Sequence, residues 1–306
     1  MQTLQGLRTK IDSAEGLQSV VKTMKAMASV NIRQYEESVA SLRTYHQTVE
    51  TGWQIVLGAA TRDDTITLPT GVDPAHDEDP CLYVALGSDQ GMCGQFDRIM
   101  SEFVLDAVQA EDREIGLLVA GERLRGHLEE GPMEQWGRLE LPRSAAGLTD
   151  AVESALHGID TARTDHSPGA IVLFHHEPTG GTSYEPRRRA LLPLDPHWLD
   201  ELRERAWSER GLPRPLSPLP VHVDTLTRET LFVLLFRGFA ASLAAENASR
   251  LAAMQAAESS IEDRLEELWQ DYHRQRQSAI TQELLEVVSG FEQAGVDDTD
   301  AEDPAP

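Results

Sequence analysis

The chain has 306 residues, enough for one large domain or two smaller ones, and 40% of them are hydrophobic, which supports a buried core. Its net charge of −24 argues against nucleic acid as a partner. Cys81 and Cys93 are too few for a disulfide framework, the first twenty residues are amphipathic and charged unlike a signal peptide, and the most apolar runs, 53–60 and 231–236, fall far short of the ~20 residues of a membrane span.

Stepping alternately three and four from Leu4 gives Leu4, Leu7, Ile11, Ala14, Gln18, Val21, Lys25, Ala28, Ile32, Tyr35, Val39, Leu42, His46, Val49, Trp53, Val56 and Ala60. Fourteen of these seventeen positions are apolar. A seam held over eight heptads predicts one long helix in a left-handed coiled coil, with Gln18, Lys25 and His46 loosening the seam or setting its register. The first proline is Pro69, so no breaker interrupts the run. The helical segment is taken as 1–62, followed by a loop over 63–80 rich in Asp, Thr, Pro and Gly.

The middle of the chain alternates strand and helix signals. Residues 81–86 are a short apolar run ending at Gly87, a buried-strand signal. Helical spacing follows over 96–109, a second strand over 115–120, and helical residues to about Glu130. A helix over 144–161, a strand over 170–174, and an arginine-interrupted strand over 183–194 complete the series. Such alternation predicts an inserted Rossmann-like α/β domain, 81–200, with a largely parallel sheet. Residues 201–223 read as a proline-rich linker, with a short helix over 198–207 overlapping its start.

The last helix is predicted over 224–293, with Asp224 or Thr227 as N-cap. Its seam is Leu243, Leu251, Met254, Ile261, Leu265, Leu268, Tyr272, Ile280, Leu284, Val287 and Phe291. Over 230–293 it would be about 95 Å long, more than a globular domain needs, so the seam calls for the N-terminal helix as an antiparallel partner. The two would project from the inserted domain as a stalk. Alanines at 240, 241, 244, 245, 248, 252, 253, 256 and 257 cover most of its circumference. They suit either a close-packed coil or a thin shaft in a tight sleeve. Residues 294–306 form an acidic tail expected to stay disordered and to be dispensable for assembly.

No convincing catalytic constellation is present. Gly87-Ser88-Asp89-Gln90-Gly91-Met92-Cys93-Gly94 joins a strand to a helix and could free amides for a phosphate, but no Lys-Ser/Thr follows, so a structural turn is the stronger reading. His175-His176-Glu177 could supply metal ligands, yet neighbours on a strand alternate faces. His273-Arg274-Gln275-Arg276 follows five carboxylates and forms a cationic step that either meets an acidic partner or makes local helical pairs. No catalytic residue, metal or cofactor is expected.

Three segments carry a resemblance to the gamma subunits of F-type ATP synthases. The first runs from Leu7-Arg8-Thr9-Lys10-Ile11 through Val21-Lys22-Thr23-Met24-Lys25-Ala26-Met27-Ala28 to Arg43-Thr44-Tyr45. The second is the 87–94 turn, similar to a Ser-Asp-x-Gly-Leu-Cys-Gly-Gly motif, with Gln95 in place of its second glycine. The third is Ala245-Glu246-Asn247-Ala248-Ser249-Arg250-Leu251-Ala252-Ala253-Met254, then Arg276-Gln277-Ser278-Ala279-Ile280-Thr281-Gln282-Glu283-Leu284, then Glu286-Val287-Val288-Ser289-Gly290. The proline-rich 213–220 and the acidic tail depart from the pattern. The opening, including Asp12-Ser13-Ala14-Glu15, looks closer to the alternative N-type ATPases.

The resemblance implies a non-catalytic rotor shaft. It would turn inside a ring of alpha and beta subunits, rest on an epsilon subunit and a c-subunit ring, and couple proton or sodium flow to ATP synthesis or hydrolysis. Membrane association would be peripheral, through the complex, at the cytoplasmic face of the cell membrane. By position, Arg276, Gln277, Thr281 and Glu283 match the segment that engages beta-subunit loops, and Lys22, Met24 and Lys25 match its N-terminal counterpart. Two other readings remain open: a coiled-coil adaptor with no motor role, or an enzyme holding a nucleotide on the α/β domain. Co-purification with ATPase subunits, dimerisation or turnover would separate them.

Overall fold

The computed structural model describes residues 3–60, 68–69, 79–207, 211, 213 and 215–296, with side chains described as far as Gly290. Most of the 63–80 loop, the tail beyond residue 296 and the side chain of Phe291 therefore lie outside the described residues. The chain divides into two compact units. One comprises the described residues up to Met24 and from Met254 onward; the other is Lys25–Ala253.

The larger unit is built on a five-stranded sheet in the order β3-β2-β1-β4-β5. Strands β1 (Cys81–Leu86), β2 (Ile115–Ala120) and β4 (Ala170–Gly180) are apolar runs, and β3 (Glu134–Leu139) is a half-exposed edge. β1 runs parallel to both neighbours, with Tyr83 opposite Leu117 and Val172. β5 (Ser183–Leu192) is antiparallel to β4, because the two are joined by a hairpin turning at Gly180 and Gly181, both at positive φ.

Side-chain alternation divides the sheet's two faces. On one, Leu82, Val84, Ile171 and Leu173 meet α5 (Leu148–His166) and the last helix, α7 (Leu219–Val296), with Tyr35 of α1 (Leu4–Ser41) in the same cluster. On the other, Tyr83, Ala85, Val172 and Phe174 meet α3 (Phe96–Gln109) and α4 (Glu122–Leu128). A third cluster joins Trp53, Val56 and Leu57 of α2 (Arg43–Ala60) to Leu199 and Leu202 of α6 (Pro196–Glu204) and to Val223 and Val233 of α7. Trp53 is fully buried, and its indole N–H donates to Thr230 Oγ1 at 2.8 Å.

All seventeen positions of the N-terminal seam are buried or half-buried and none is exposed. The pairing with α7 is antiparallel. Asn31 Nδ2 donates to Asn247 Oδ1 at 3.2 Å, whereas Trp53, further along, meets Thr230, earlier on α7.

Four local expectations are corrected. The N-terminal helix is interrupted at Leu42, although no Pro or Gly lies there. Ser41 Oγ donates to the Ser38 carbonyl at 2.8 Å, and the Leu42 amide reaches the same oxygen only at 3.3 Å, so a side chain competes with the helical bond. The last helix starts at Leu219, not after Asp224 or Thr227. Pro220 fits the first turn, where no amide is needed, and Thr227 Oγ1 donates back to the Val223 carbonyl at 2.7 Å instead of capping. Strand β3 had no apolar signal to announce it. Its Trp136 packs on the bare backbone of Gly116, where a Cβ would lie 2.0 Å from the indole. Finally, α7 is long and apolar enough to cross a membrane by length and composition, yet 78% of its most apolar stretch is buried inside the protein, as in a core helix.

Candidate functional site

The smaller unit carries most of the residues expected to meet a partner. Leu7 and Ile11 of α1 pack with Leu268, flanked by Ala14, Leu265, Trp269 and Tyr272 of the two helices. Arg8 lies over the Trp269 ring at 5.5 Å, and Gln18 Nε2 donates to Glu262 Oε1 at 3.2 Å. In the register of Gln18 with Glu262, Leu4 at the start of α1 lies level with Arg276. The expected seam continues to Phe291, but Ile280, Leu284 and Val287 are 46%, 60% and 57% exposed, together with Leu285 and Val288.

Arg276, Gln277, Thr281 and Glu283 all sit exposed toward this end of α7. Thr281 Oγ1 donates to the Gln277 carbonyl at 2.9 Å, so its proton is engaged locally. Arg276 makes no ion pair with a described residue, whereas neighbouring Arg274 reaches Asp271 at 3.5 Å, the ordinary helical pair. Lys22 is exposed and Met24 half-buried where α1 is still paired. Taking the Gln18–Glu262 contact as register, Lys22 and Arg276 lie about 27 Å apart along the coil at ~1.5 Å per residue. They form two patches, not one site. Lys25 belongs to the larger unit, where it is half-buried in the seam and its carbonyl accepts from Ser29 Oγ at 3.1 Å.

The 87–94 turn is structural. Asp97, from the first turn of α3, is buried beneath it; its Oδ1 accepts from the Ser88 amide at 2.8 Å and its Oδ2 from the Ser88 hydroxyl at 2.7 Å. Asp89 Oδ1 likewise accepts from the Glu122 amide, 3.0 Å away. Carboxylates fill the place a phosphate would need. Met92 and Gly94, both at positive φ, turn the Cys93 carbonyl toward α7, where Ser249 Oγ donates to it at 2.6 Å and lies 3.1 Å from the Tyr184 hydroxyl. Burial pushes the Cys93 thiol above its ordinary pKa, leaving it a poor nucleophile.

Below this junction α7 is buried from Ser242 through Arg250. Arg250 holds Glu246 at 2.5 Å and touches Asn247 Oδ1 at 3.4 Å. Burial raises the Glu246 pKa despite that partner, so desolvation outweighs the ion pair. Ala244, Ala245 and Ala248 are buried within the larger unit. Reading the chain as a seam missed this polar hub. The signal was Glu246, Asn247, Ser249 and Arg250 falling together within an alanine run.

His175 and His176 face opposite sides of β4. His176 stacks on Phe96 at 4.1 Å, and burial depresses its pKa to about 3. His175 Nε2 lies 3.1 Å from Glu177 Oε2. No cluster of metal-ligating side chains occurs among the described residues.

A family model described as ATP synthase matches residues 3–293. The chain belongs to the ATP synthase family. This family member is 26% identical over 305 residues to the ATP synthase gamma chain of Rhizobium etli (strain CIAT 652), covering 95% of the chain and 99% of the relative. Its fold matches a chain in the OSCP/F1/c-ring structure of Euglena gracilis mitochondrial ATP synthase in rotational state 3. The TM-score is 0.63 at 17% identity, over 99% of this chain and 98% of that one. A chain of the rotor of the same enzyme in rotational state 1 gives 0.58 at 16% identity, over 90% and 98%. A central stalk/c-ring chain from Tetrahymena thermophila gives 0.53 at 18%, over 78% and 99%.

Proposed function

We infer that this chain is the central rotor shaft, the gamma subunit, of an ATP synthase, coupling ion flow through a membrane ring to ATP chemistry carried out elsewhere. The observation that carries this reading is the end of α7. A helix end with Ile280, Leu284, Leu285, Val287 and Val288 exposed needs apolar cover that the described residues do not provide. A ring of alpha and beta subunits, closed around the helix, supplies such cover. An asymmetric shaft presents a different face to each beta subunit, so rotation makes the nucleotide sites unequal in turn. The chain itself is then non-catalytic. The larger unit carries the contacts to an epsilon subunit and a c-subunit ring, and the protein is peripheral at the cytoplasmic face of the cell membrane.

Arg276 and Gln277, with Thr281 and Glu283, form the proposed contact with beta-subunit loops, and Lys22, Met24 and Lys25 form a second contact lower on the coil. Arg276 is the best placed to transmit torque. Its guanidinium is exposed, and a planar fork fixes angle as well as distance. Reconstitution of Arg276→Ala with the cognate alpha and beta subunits should give full assembly but several-fold lower ATPase turnover, with Arg276→Lys recovering part. Turnover within about twofold of the unmodified complex at matched assembly would remove Arg276 from the contact.

A further inference from the structure

Two arginines of the larger unit, Arg189 and Arg237, come together without a direct ion pair among the described residues. Edge strand β5 has three in a row. Arg187 pairs with Glu185, and Arg188 with Glu111 at 2.7 Å. Arg189 has no carboxylate within 4.0 Å among the described residues, and neither has Arg237 of α7. Both line the same two adjoining cavities, of about 490 and 830 Å³, between β5 and the helices packed on it. These volumes lie in the range of small-molecule sites. In so acidic a chain, two convergent guanidiniums without a direct ion pair, one of them only under the longer-range pull of Glu177, make a basic spot.

The smaller cavity is also lined by His175, Tyr35, Glu36 and Glu177. His175 is 4% exposed, and its buried Nδ1 finds no partner among the described residues. Helix α7 passes close over it at Gly238, where a Cβ would sit 3.7 Å from His175 Cγ and 2.5 Å from Leu173. Glu177 is kept ionised first by its hydrogen bond from His175. His175 Nε2 therefore carries the proton, and in the neutral ring Nδ1 is a lone-pair acceptor facing a site that needs a donor.

We propose that Arg189, Arg237 and His175 form a binding site for hydrogen phosphate. The two guanidiniums donate to its anionic oxygens, and its remaining P–OH donates to His175 Nδ1. Sulfate and a phosphodiester have no such hydroxyl at neutral pH, so the site distinguishes ions of similar size and charge. The field at the junction is consistent with this. Packing around the Arg189 head, and then the charge of Arg237, lower the Arg189 pKa against the pull of Glu177. Burial and the charges of Arg237, Arg189 and Arg205 hold His46 low on the far side, against Glu50. Glu50 is itself engaged by Arg205 at 2.8 Å. The inference does not depend on the shaft reading.

The test is a calorimetric titration of the purified full chain with inorganic phosphate, sulfate, ADP and phosphatidylglycerol vesicles. Saturable binding of one phosphate is expected, with sulfate at least about tenfold weaker. Arg189→Gln and Arg237→Gln should each lose about tenfold or more, and Arg187→Gln on the same strand should change nothing. Glu36→Gln should tighten binding by removing an acid from the exposed rim. No saturable phosphate binding, equal affinity for sulfate, an equal loss in Arg187→Gln, or binding to vesicles but not to free phosphate would each overturn the assignment.

Discussion

The contact between the 87–94 turn and α7 rests on one hydroxyl. Ser249 Oγ donates to the Cys93 carbonyl at 2.6 Å and meets the Tyr184 hydroxyl at 3.1 Å, with Ser249 only 7% exposed. Ser249→Ala leaves a buried carbonyl without its donor and the tyrosine hydroxyl without its neighbour. Leaving a buried polar group unsatisfied costs about 1–3 kcal/mol. For a unit of some 150–250 residues each kcal/mol lowers Tm by about 2–4 °C, so a fall of about 2–12 °C is expected. Thermal unfolding of Ser249→Ala, Tyr184→Phe and the double variant measures it. Because the three groups form one network, the double variant should cost less than the sum of the singles. A fall below about 1 °C, or strict additivity, would mean that the turn is held by Phe96 and Ala245 packing alone.

Trp53→Ala should destabilise the larger unit by about 3–5 kcal/mol, since a fully buried indole and its bond to Thr230 are lost together; chemical denaturation reads it directly. His176, held neutral with a pKa of about 3 against an ordinary 6.5, takes up its proton more readily when unfolded. The stability it contributes is complete above pH 6.5 and is lost as pH falls toward 3, amounting to about 2 kcal/mol by pH 5. Glu246 titrates with the opposite sign, so the comparison is with His176→Phe, in which this part of the acid slope should vanish. Leu268→Ala should fray the paired end of the coil, visible as lost helical circular dichroism and faster amide exchange near Leu7 and Ile11, without lowering the unfolding temperature of the larger unit.

Strong periodicity made most of the fold legible. The N-terminal seam was readable position by position because a 3-4 step over eight heptads leaves one face to bury, and the polar Gln18, Lys25 and His46 are half-buried in it as well. Strands β1, β2 and β4 stood out because strands covered on both faces are continuous apolar runs. Strand β3 did not: at the edge of the sheet Glu134, Gln135 and Arg138 are exposed, and its hold on the core comes from Trp136 over Gly116. The break at Leu42 was hidden too. Two serine hydroxyls make it, and serine is no breaker by composition.

The contact residues were legible only through the family pattern, and the end of α7 shows why. Apolar residues at helical spacing state that a face is to be covered; they do not state by which chain. From Leu243 to Tyr272 the cover is intramolecular, and the same period continues through Ile280, Leu284 and Val287, where the faces are open. The decisive datum is a length, not a motif. Helix α1 begins at Leu4, and antiparallel pairing in the register of Gln18 with Glu262 brings that start level with Arg276. Past that level Ile280, Leu284 and Val287 lie beyond the described part of α1. Past the described start of α1 these apolar side chains are open, and the contact proposed for Arg276 and Gln277 adjoins them.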